Sequence, residues 1–208
     1  WDWNGTLLND VDLCFSCINR LLVSHDLKPL DTLSQYREVF TFPIEDYYKR
    51  VGFDFDKISF SMLAHEYMED YQEKSYACDL HSDVLDVVNK AKNLGFSQTV
   101  LSASKMDYLL KQMETLHVDD LFDSIYGIND IYAKSKVELA HAFKQTCSLD
   151  DEIYFVGDSV HDYEVAKSIG AKCILVTTGH QNRATLESVN VPVMDSLMES
   201  LDLIYERD

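Results

Sequence analysis

Positive charge is scarce in this chain. Lys and Arg number 18 against 36 Asp and Glu, a formal net charge of −18. A field of that sign repels nucleic-acid backbones and anionic membrane surfaces, so neither is an expected partner. A phosphorylated small molecule is still admissible, because a metal ion and one lysine can reverse the sign inside a pocket. Long apolar runs are missing too: nothing approaches the roughly 20 residues a membrane helix needs. The five cysteines (Cys14, Cys17, Cys78, Cys147 and Cys173) are odd in number and scattered. Cys14 and Cys17 form a CxxC, but no second ligand pair follows, and VDLCFSCINRLLVSH reads as a helix carrying small residues on one face. Reduced thiols then point to a cytoplasmic protein. The opening residues form a polar motif, not a basic and apolar leader.

What remains is ordinary for a soluble globular protein: 46% hydrophobic and 26% charged residues in 208. That length suits one large domain or a core with an insert. Three sections can be read. Residues 1–9 are the tail of a strand and a loop. Residues 12–78 are nearly all helical, with an apolar-periodic segment from Val11 to about Asp26 on Leu13, Cys17, Leu21 and Ser24, flanked by Ile18 and Leu22. Pro29 and Pro43 mark turns, followed by helices at about 44–51 and 55–76. From about residue 79, short apolar strands alternate with helices. The pattern predicts strands at 97–102, 124–127, 152–156 and 172–177, helices at 105–116, 134–146 and 160–169, and a last helix from about Asp195. Gly170 suits a helix C-cap. The alternation implies an α/β fold, a doubly wound parallel sheet of Rossmann-like type whose ligands bind at the carboxyl ends of the strands.

The chemically versatile residues fall at those strand ends. Asp2 and Asn4 end the first, Ser102 ends SQTVLS, Lys136 opens the helix KVELAHAF, and Asp158 follows EIYFV with Asp162 four residues on. Each has a plainer use. Asp2 suits a turn before Gly5, Ser102 and Asp158 suit helix caps, and Asp162 suits a solvated first turn. Lys134 rivals Lys136. Independent caps need not fall in this order at successive strand ends, and that joint placement favours a site. Phosphoryl transfer needs an in-line nucleophile and neutralisation of the transferred oxygens. A carboxylate can be that nucleophile, and paired acids suit Mg²⁺.

Asp2-Trp3-Asn4-Gly5-Thr6, Ser102 in LSAS, Lys136 in AKSKVELA, and Gly157-Asp158-Ser159 with Asp162 together resemble the four motifs of the haloacid dehalogenase superfamily, most of whose members are phosphatases. The stretch FTFPIEDYYKRVGFD looks like the helical cap of its phosphoglycolate phosphatase-like branch. The resemblance implies a catalytic core of 1–11 and 79–208 with an inserted all-helical cap at 12–78. It further implies an Mg²⁺-dependent phosphatase acting on a small phosphorylated metabolite through an aspartyl-phosphate. Asp2 would be the nucleophile and Thr6 would orient it. Ser102 and Lys136 would hold the phosphoryl oxygens. Asp2, the Asn4 carbonyl, Asp158 and Asp162 would hold the metal.

Position 4 departs from the pattern. The family's phosphatases carry there a second Asp that acts as proton donor, help worth about 10²–10⁴ in rate. Asn4 cannot supply it. Three explanations are open: a substrate with a good leaving group, another proton donor among His25, His161 and His180, or a site that binds phosphate compounds with weakened catalysis. Dehalogenation is disfavoured because both metal acids are present. A phosphonatase would need a cap lysine, for which Lys49 is the candidate, though a solvated lysine is the plainer reading. Lys49 and Arg50 could instead meet an anionic substrate tail. His180 in TTGHQ sits at the ligand-binding edge, where a solvated loop histidine is equally at home. The aromatic set Phe53, Phe55, Phe60, Tyr67 and Tyr71 reads as core of the helical section. A strand carrying Asp2 also needs apolar residues before it, so the native protein is expected to continue upstream of Trp1.

Overall fold

The computed structural model describes residues 1–132 and 136–206. Four helices come first: α1 (Val11–Ser24), α2 (Leu33–Val39), α3 (Ile44–Arg50) and α4 (Phe60–Ser75). Next come α5 (Val84–Asn93), β1 (Thr99–Lys105), α6 (Met106–Thr115), β2 (Ser124–Ile128), α7 (Val137–Thr146), β3 (Tyr154–Gly157), α8 (Val160–Ser168), β4 (Lys172–Val176), α9 (Arg183–Glu187), β5 (Val193–Met194) and α10 (Leu197–Tyr205). The protein is α/β with parallel strands. β1 pairs with β2, β3 with β4, and β4 with β5, all parallel. Trp1 and Asp2 lie between the two sets. Trp1 N donates to Thr99 O at 2.7 Å, Leu101 N to Trp1 O at 2.9 Å, and Asp2 N to Val156 O at 2.9 Å. The spatial order is therefore β2, β1, the opening residues, β3, β4, β5.

Side-chain alternation along these strands explains their apolar character. Val100, Val156, Ile174 and Val176 face one buried cluster with Val84, Val87, Leu109, Met113 and Leu201, under α5, α6 and α10. Leu101, Phe155, Cys173 and Leu175 face the opposite cluster with Ala140, Val165 and Leu186, under α7, α8 and α9. Helices on both faces leave no side of the sheet for polar residues. A third cluster is wholly helical: Val11, Cys14, Cys17, Ile18, Leu21 and Leu22 of α1 pack on Tyr36, Tyr47, Tyr48, Phe53, Leu63 and Tyr71. Among the described residues, no helix is long and apolar enough to cross a membrane.

The sequence reading placed most elements and missed the short ones. The α1 stripe runs through Val11, Cys14, Ile18 and Leu21; Leu13 is only half-buried and Ser24 is exposed. α4 starts at Phe60, not Phe55, because the Ser59 side chain accepts from Met62 N and caps it. β1 runs on to Lys105, although its regular pairing with β2 breaks after Leu101, so Ser102 follows the last regular pair. α2, α5, α9 and β5 were unread. Only α5 carried a clear signal, with Val84, Val87, Val88 and Ala91 at helical spacing. Replacing Ile18 with Ala should cost about 2–5 kcal/mol, since its side chain is fully buried in the helical cluster. Met62→Ala, on the exposed side of α4, should stay within about 0.5 kcal/mol. Denaturant titration checks both, and equal losses would mean the buried stripe is misassigned.

Candidate active site

The turn after Asp2 is compact. Leu7 N and Leu8 N both donate to Trp3 O, at 2.9 and 2.8 Å. Gly5 takes a φ of +73°, open to glycine at no steric cost, and a Cβ there would sit 2.6 Å from both Asp158 Oδ2 and His180 Cδ2. This turn aims Asp2 and Thr6 inward, where both are buried. The Thr6 hydroxyl lies 3.2 Å from Asp2 Oδ2 and 3.3 Å from Asp158 Oδ1. Lys136, at the head of α7, places Nζ 2.5 Å from Asp2 Oδ1 and 2.5 Å from Asp162 Oδ1. Asp2, Thr6, Lys136, Asp158 and Asp162 therefore converge. Lys134 lies outside the described residues.

Asp158 does not cap α8. Ser159 does, through its side chain on Asp162 N, and Asp162 Oδ2 answers by accepting from Asp158 N, Ser159 N and Ser159 Oγ at 3.1, 2.9 and 2.7 Å. Asp162 is thus a buried capping acid, not a solvated one, and only its Oδ1 faces Lys136. Asp158 is left free to point at Asp2. Gly179 makes room for it, since a Cβ at that position would come within 2.0 Å of Asp158 Oδ2.

Charge is poorly balanced here. Burial pushes the Asp158 carboxyl up to about 8, with Asp2 and Asp162 adding to the rise and His180 opposing it. Burial also raises Asp2, against the pull of Lys136. Burial works against the Asp162 charge as well, but Lys136 overrides it and holds that carboxyl below its usual range. One ammonium serves three carboxylates whose oxygens lie within 4.8 Å of one another. Asp162 Oδ1 has that ion pair but no aligned hydrogen-bond donor. A hard divalent cation on these oxygens would settle the imbalance, so the donor set fits the expected metal.

Ser102 and Asn4 meet at the side of this cluster. Ser102 Oγ accepts from Ser104 N at 3.0 Å and lies 3.4 Å from Asn4 Oδ1, to which Ser104 Oγ donates at 2.6 Å. Asn4 Nδ2 donates to Asp10 Oδ2 at 2.9 Å and to the Tyr71 hydroxyl at 2.8 Å. Tyr71 in turn donates to Asp10 Oδ2 at 2.6 Å, and Gly5 N to Asp10 Oδ1 at 2.9 Å. Burial opposes the Asp10 charge, but His180, Tyr71 and Asn4 outweigh it and lower the carboxyl to about 2. Asp10 was unread in the sequence. Its signal was weak: one acid six residues beyond the Asn4 amide.

The histidines separate clearly. His25 Nε2 pairs with Glu66 at 2.7 Å against Phe53, within the helical cluster. His161 stacks on Phe42, with Nδ1 3.3 Å from Glu164. His180 alone of the three lines the Asp2 cavity. Its Nε2 lies 3.4 Å from Asp10 Oδ1, its Nδ1 2.8 Å from the Tyr36 hydroxyl, and its ring stacks on Phe40. Burial opposes its charge, yet Asp10 raises it to about 9. Lys49 pairs with Asp46 at 3.0 Å and lies over Phe55, and neither it nor Arg50 lines the cavity. Cys14 donates its thiol to Asp10, so half of the CxxC touches the site after all. Tyr67 and Tyr71 also line the cavity, whereas Phe53, Phe55 and Phe60 belong to the helical core. A larger cavity of about 490 Å³ opens near Gln98, Asp123 and Tyr154; neither group of metal-ligating side chains found among the described residues touches it.

The sequence matches the family of haloacid dehalogenase-like hydrolases over residues 1–176. Comparison with curated protein sequences gives no match. Among solved structures, it is similar to a haloacid dehalogenase-like family hydrolase from Streptococcus pneumoniae, at 19% identity and a TM-score of 0.81 over 98% of this chain and 95% of that one. It is also similar to a predicted phosphatase from Clostridium acetobutylicum, at 19% identity and a TM-score of 0.83 over 99% and 96%. A predicted phosphoglycolate phosphatase from Haemophilus somnus shares 18% identity and a TM-score of 0.71 over 98% and 95%.

Asn4 and Asp10 form one charge unit, and this has a measurable consequence. Asn4→Asp sets a second carboxylate against Asp10 and removes two donated hydrogen bonds. It should destabilise the fold by about 1–3 kcal/mol. Asn4→Asp combined with Asp10→Asn restores a donor–acceptor pair and should recover most of that loss. Thermal denaturation of the single and double variants checks this, and additive losses would refute the coupling.

Proposed function

The chain belongs to the haloacid dehalogenase-like hydrolases, and on that footing we propose that it is an Mg²⁺-dependent phosphatase acting on a small phosphorylated metabolite through an aspartyl-phosphate. One observation carries the reading: Lys136 Nζ stands 2.5 Å from both Asp2 and Asp162, joining three separate chain segments at one buried point beside Asp158. Asp2 attacks phosphorus, the bond to the leaving oxygen breaks, and water then cleaves the aspartyl-phosphate to release phosphate and restore the carboxylate. Thr6 orients Asp2. Ser102 and Lys136 hold the transferring oxygens. Asp2, Asp158, Asp162 and the Asn4 main-chain carbonyl would hold the metal. Mg²⁺, when bound, supplies charge neutralisation for the carboxylates and the phosphoryl oxygens.

Residues 1–11 and 79–208 form the catalytic core in this reading, and 12–78 the cap that excludes water. Five free thiols agree with a cytoplasmic setting. A second reading, a phosphate-binding protein with weakened catalysis, draws on Asn4, whose amide hydrogens are both committed within the protein. Acetyl phosphate separates the two, since it needs little proton help to leave. With Mg²⁺ it should be hydrolysed, and Asp2→Ala should lower kcat by more than about 10³-fold. Chelation of the metal should abolish turnover reversibly. Tight phosphate binding without any turnover would favour the binding protein.

A further inference from the structure

The cavity over Asp2 is small, about 160 Å³. Its floor is charged and its wall is not. Phe40, Phe42, Ile44, Tyr67 and Tyr108 form the wall. Lys105, Lys136 and His180, which is held protonated by Asp10, are the cations that line it among the described residues. Lys136 is committed to Asp2 and Asp162. Lys105 is 3.1 Å from Asp107 and lies over the Tyr108 ring. Arg37 approaches from α2, but its guanidinium donates to Gly179 O and Thr178 O at 2.9 and 3.2 Å. Among the described residues, a substrate bearing a second anionic group would find no cation there that lacks an acidic partner. One rich in hydroxyls would set them against rings. A flat apolar body is what this wall accommodates.

A second observation concerns the leaving oxygen. Asn4 spends both amide hydrogens on Asp10 and Tyr71, and Tyr71 donates to Asp10. His180 has both ring nitrogens engaged, by Asp10 and Tyr36. His25 and His161 do not line the cavity. The hydrogens on Asn4, Tyr71 and His180 are therefore already engaged within the protein, and none of the three offers the leaving group an uncommitted donor. A phenol such as the tyrosine side chain ionises near pH 10, against about 16 for water, so a phenolate departs unprotonated far more readily than an alkoxide.

Wall and leaving group point the same way. We propose that this site takes small aryl phosphomonoesters, the phosphate esters of phenols. The proposal rests on the phosphatase reading and narrows it to a substrate class. Asp2 forms a bond to phosphorus, the bond between phosphorus and the phenolic oxygen breaks, and the phenolate leaves with that electron pair and takes a proton from water.

The test compares four substrates on the full chain with Mg²⁺: phenyl phosphate, benzyl phosphate, 2-phosphoglycolate and acetyl phosphate. Phenyl phosphate should exceed both benzyl phosphate and 2-phosphoglycolate in kcat/KM by at least about tenfold. Its gain over benzyl phosphate should fall mainly in kcat, because the two share an aromatic body and differ in leaving group. Phe42→Ser and Tyr108→Ser should each lower the ratio of kcat/KM for phenyl phosphate over acetyl phosphate about fivefold. Equal rates on benzyl and phenyl phosphate, or better turnover of 2-phosphoglycolate, would overturn the proposal. Asp2-dependent cleavage of acetyl phosphate with no aryl preference sinks the substrate class alone. No cleavage of any of the four sinks the phosphatase reading with it.

Discussion

The Lys136 ammonium is the fixed point of this molecule. It is buried, and it touches Asp2 at the start of the chain and Asp162 in the first turn of α8. Removing one member of such a group leaves an uncompensated buried charge, which typically costs about 3–5 kcal/mol. The surrounding structure serves that arrangement. The sheet places Asp2 beside β3, the Ser159–Asp162 capping box fixes Asp162, and two glycines keep Cβ atoms away from Asp158. A cluster this crowded with acids is a poor way to stabilise a fold. It makes sense as a place prepared for more positive charge than the protein itself brings.

Much of this was legible because the relevant signals are local. A polar residue at a junction between strand and helix is visible within ten residues, and Asp2, Ser102, Lys136 and Asp158 were singled out that way. The division of the chain into a helical section and an alternating section was equally plain from periodicity. Short elements were not: α2 and α9 hold 7 and 5 residues, too few for a periodic pattern to declare itself. The capping role of Asp162 was not legible, because a first-turn acid looks the same whether it faces water or closes a capping box. Asp10, Tyr71 and Tyr36 were invisible because their meaning lies in partners 6 to 144 residues away.

Position 4 shows why a motif should be read with its neighbours. As a lone departure, Asn4 reads as a lost proton donor. In the structure the carboxylate on that side of Asp2 sits at position 10, and the Asn4 amide joins His180 and Tyr71 in keeping Asp10 charged while buried. Two acids at 4 and 10 would repel in a site that already holds three carboxylates.

The same reasoning joins the wall to the loop after β4. Tyr36 reaches His180 Nδ1, Arg37 holds the carbonyls of Thr178 and Gly179, Phe40 stacks on His180, and Gln181 bridges Phe40 O to Val160 N. His180 N in turn donates to Asp158. The rings that bound the cavity are thus anchored, through one loop, to a carboxylate on its floor. The shape of the cavity and the electrostatics of its floor are therefore set by one group of residues. A change made to the wall at Phe40 also alters what surrounds Asp158, so shape selectivity and the readiness of the floor cannot be tuned independently here.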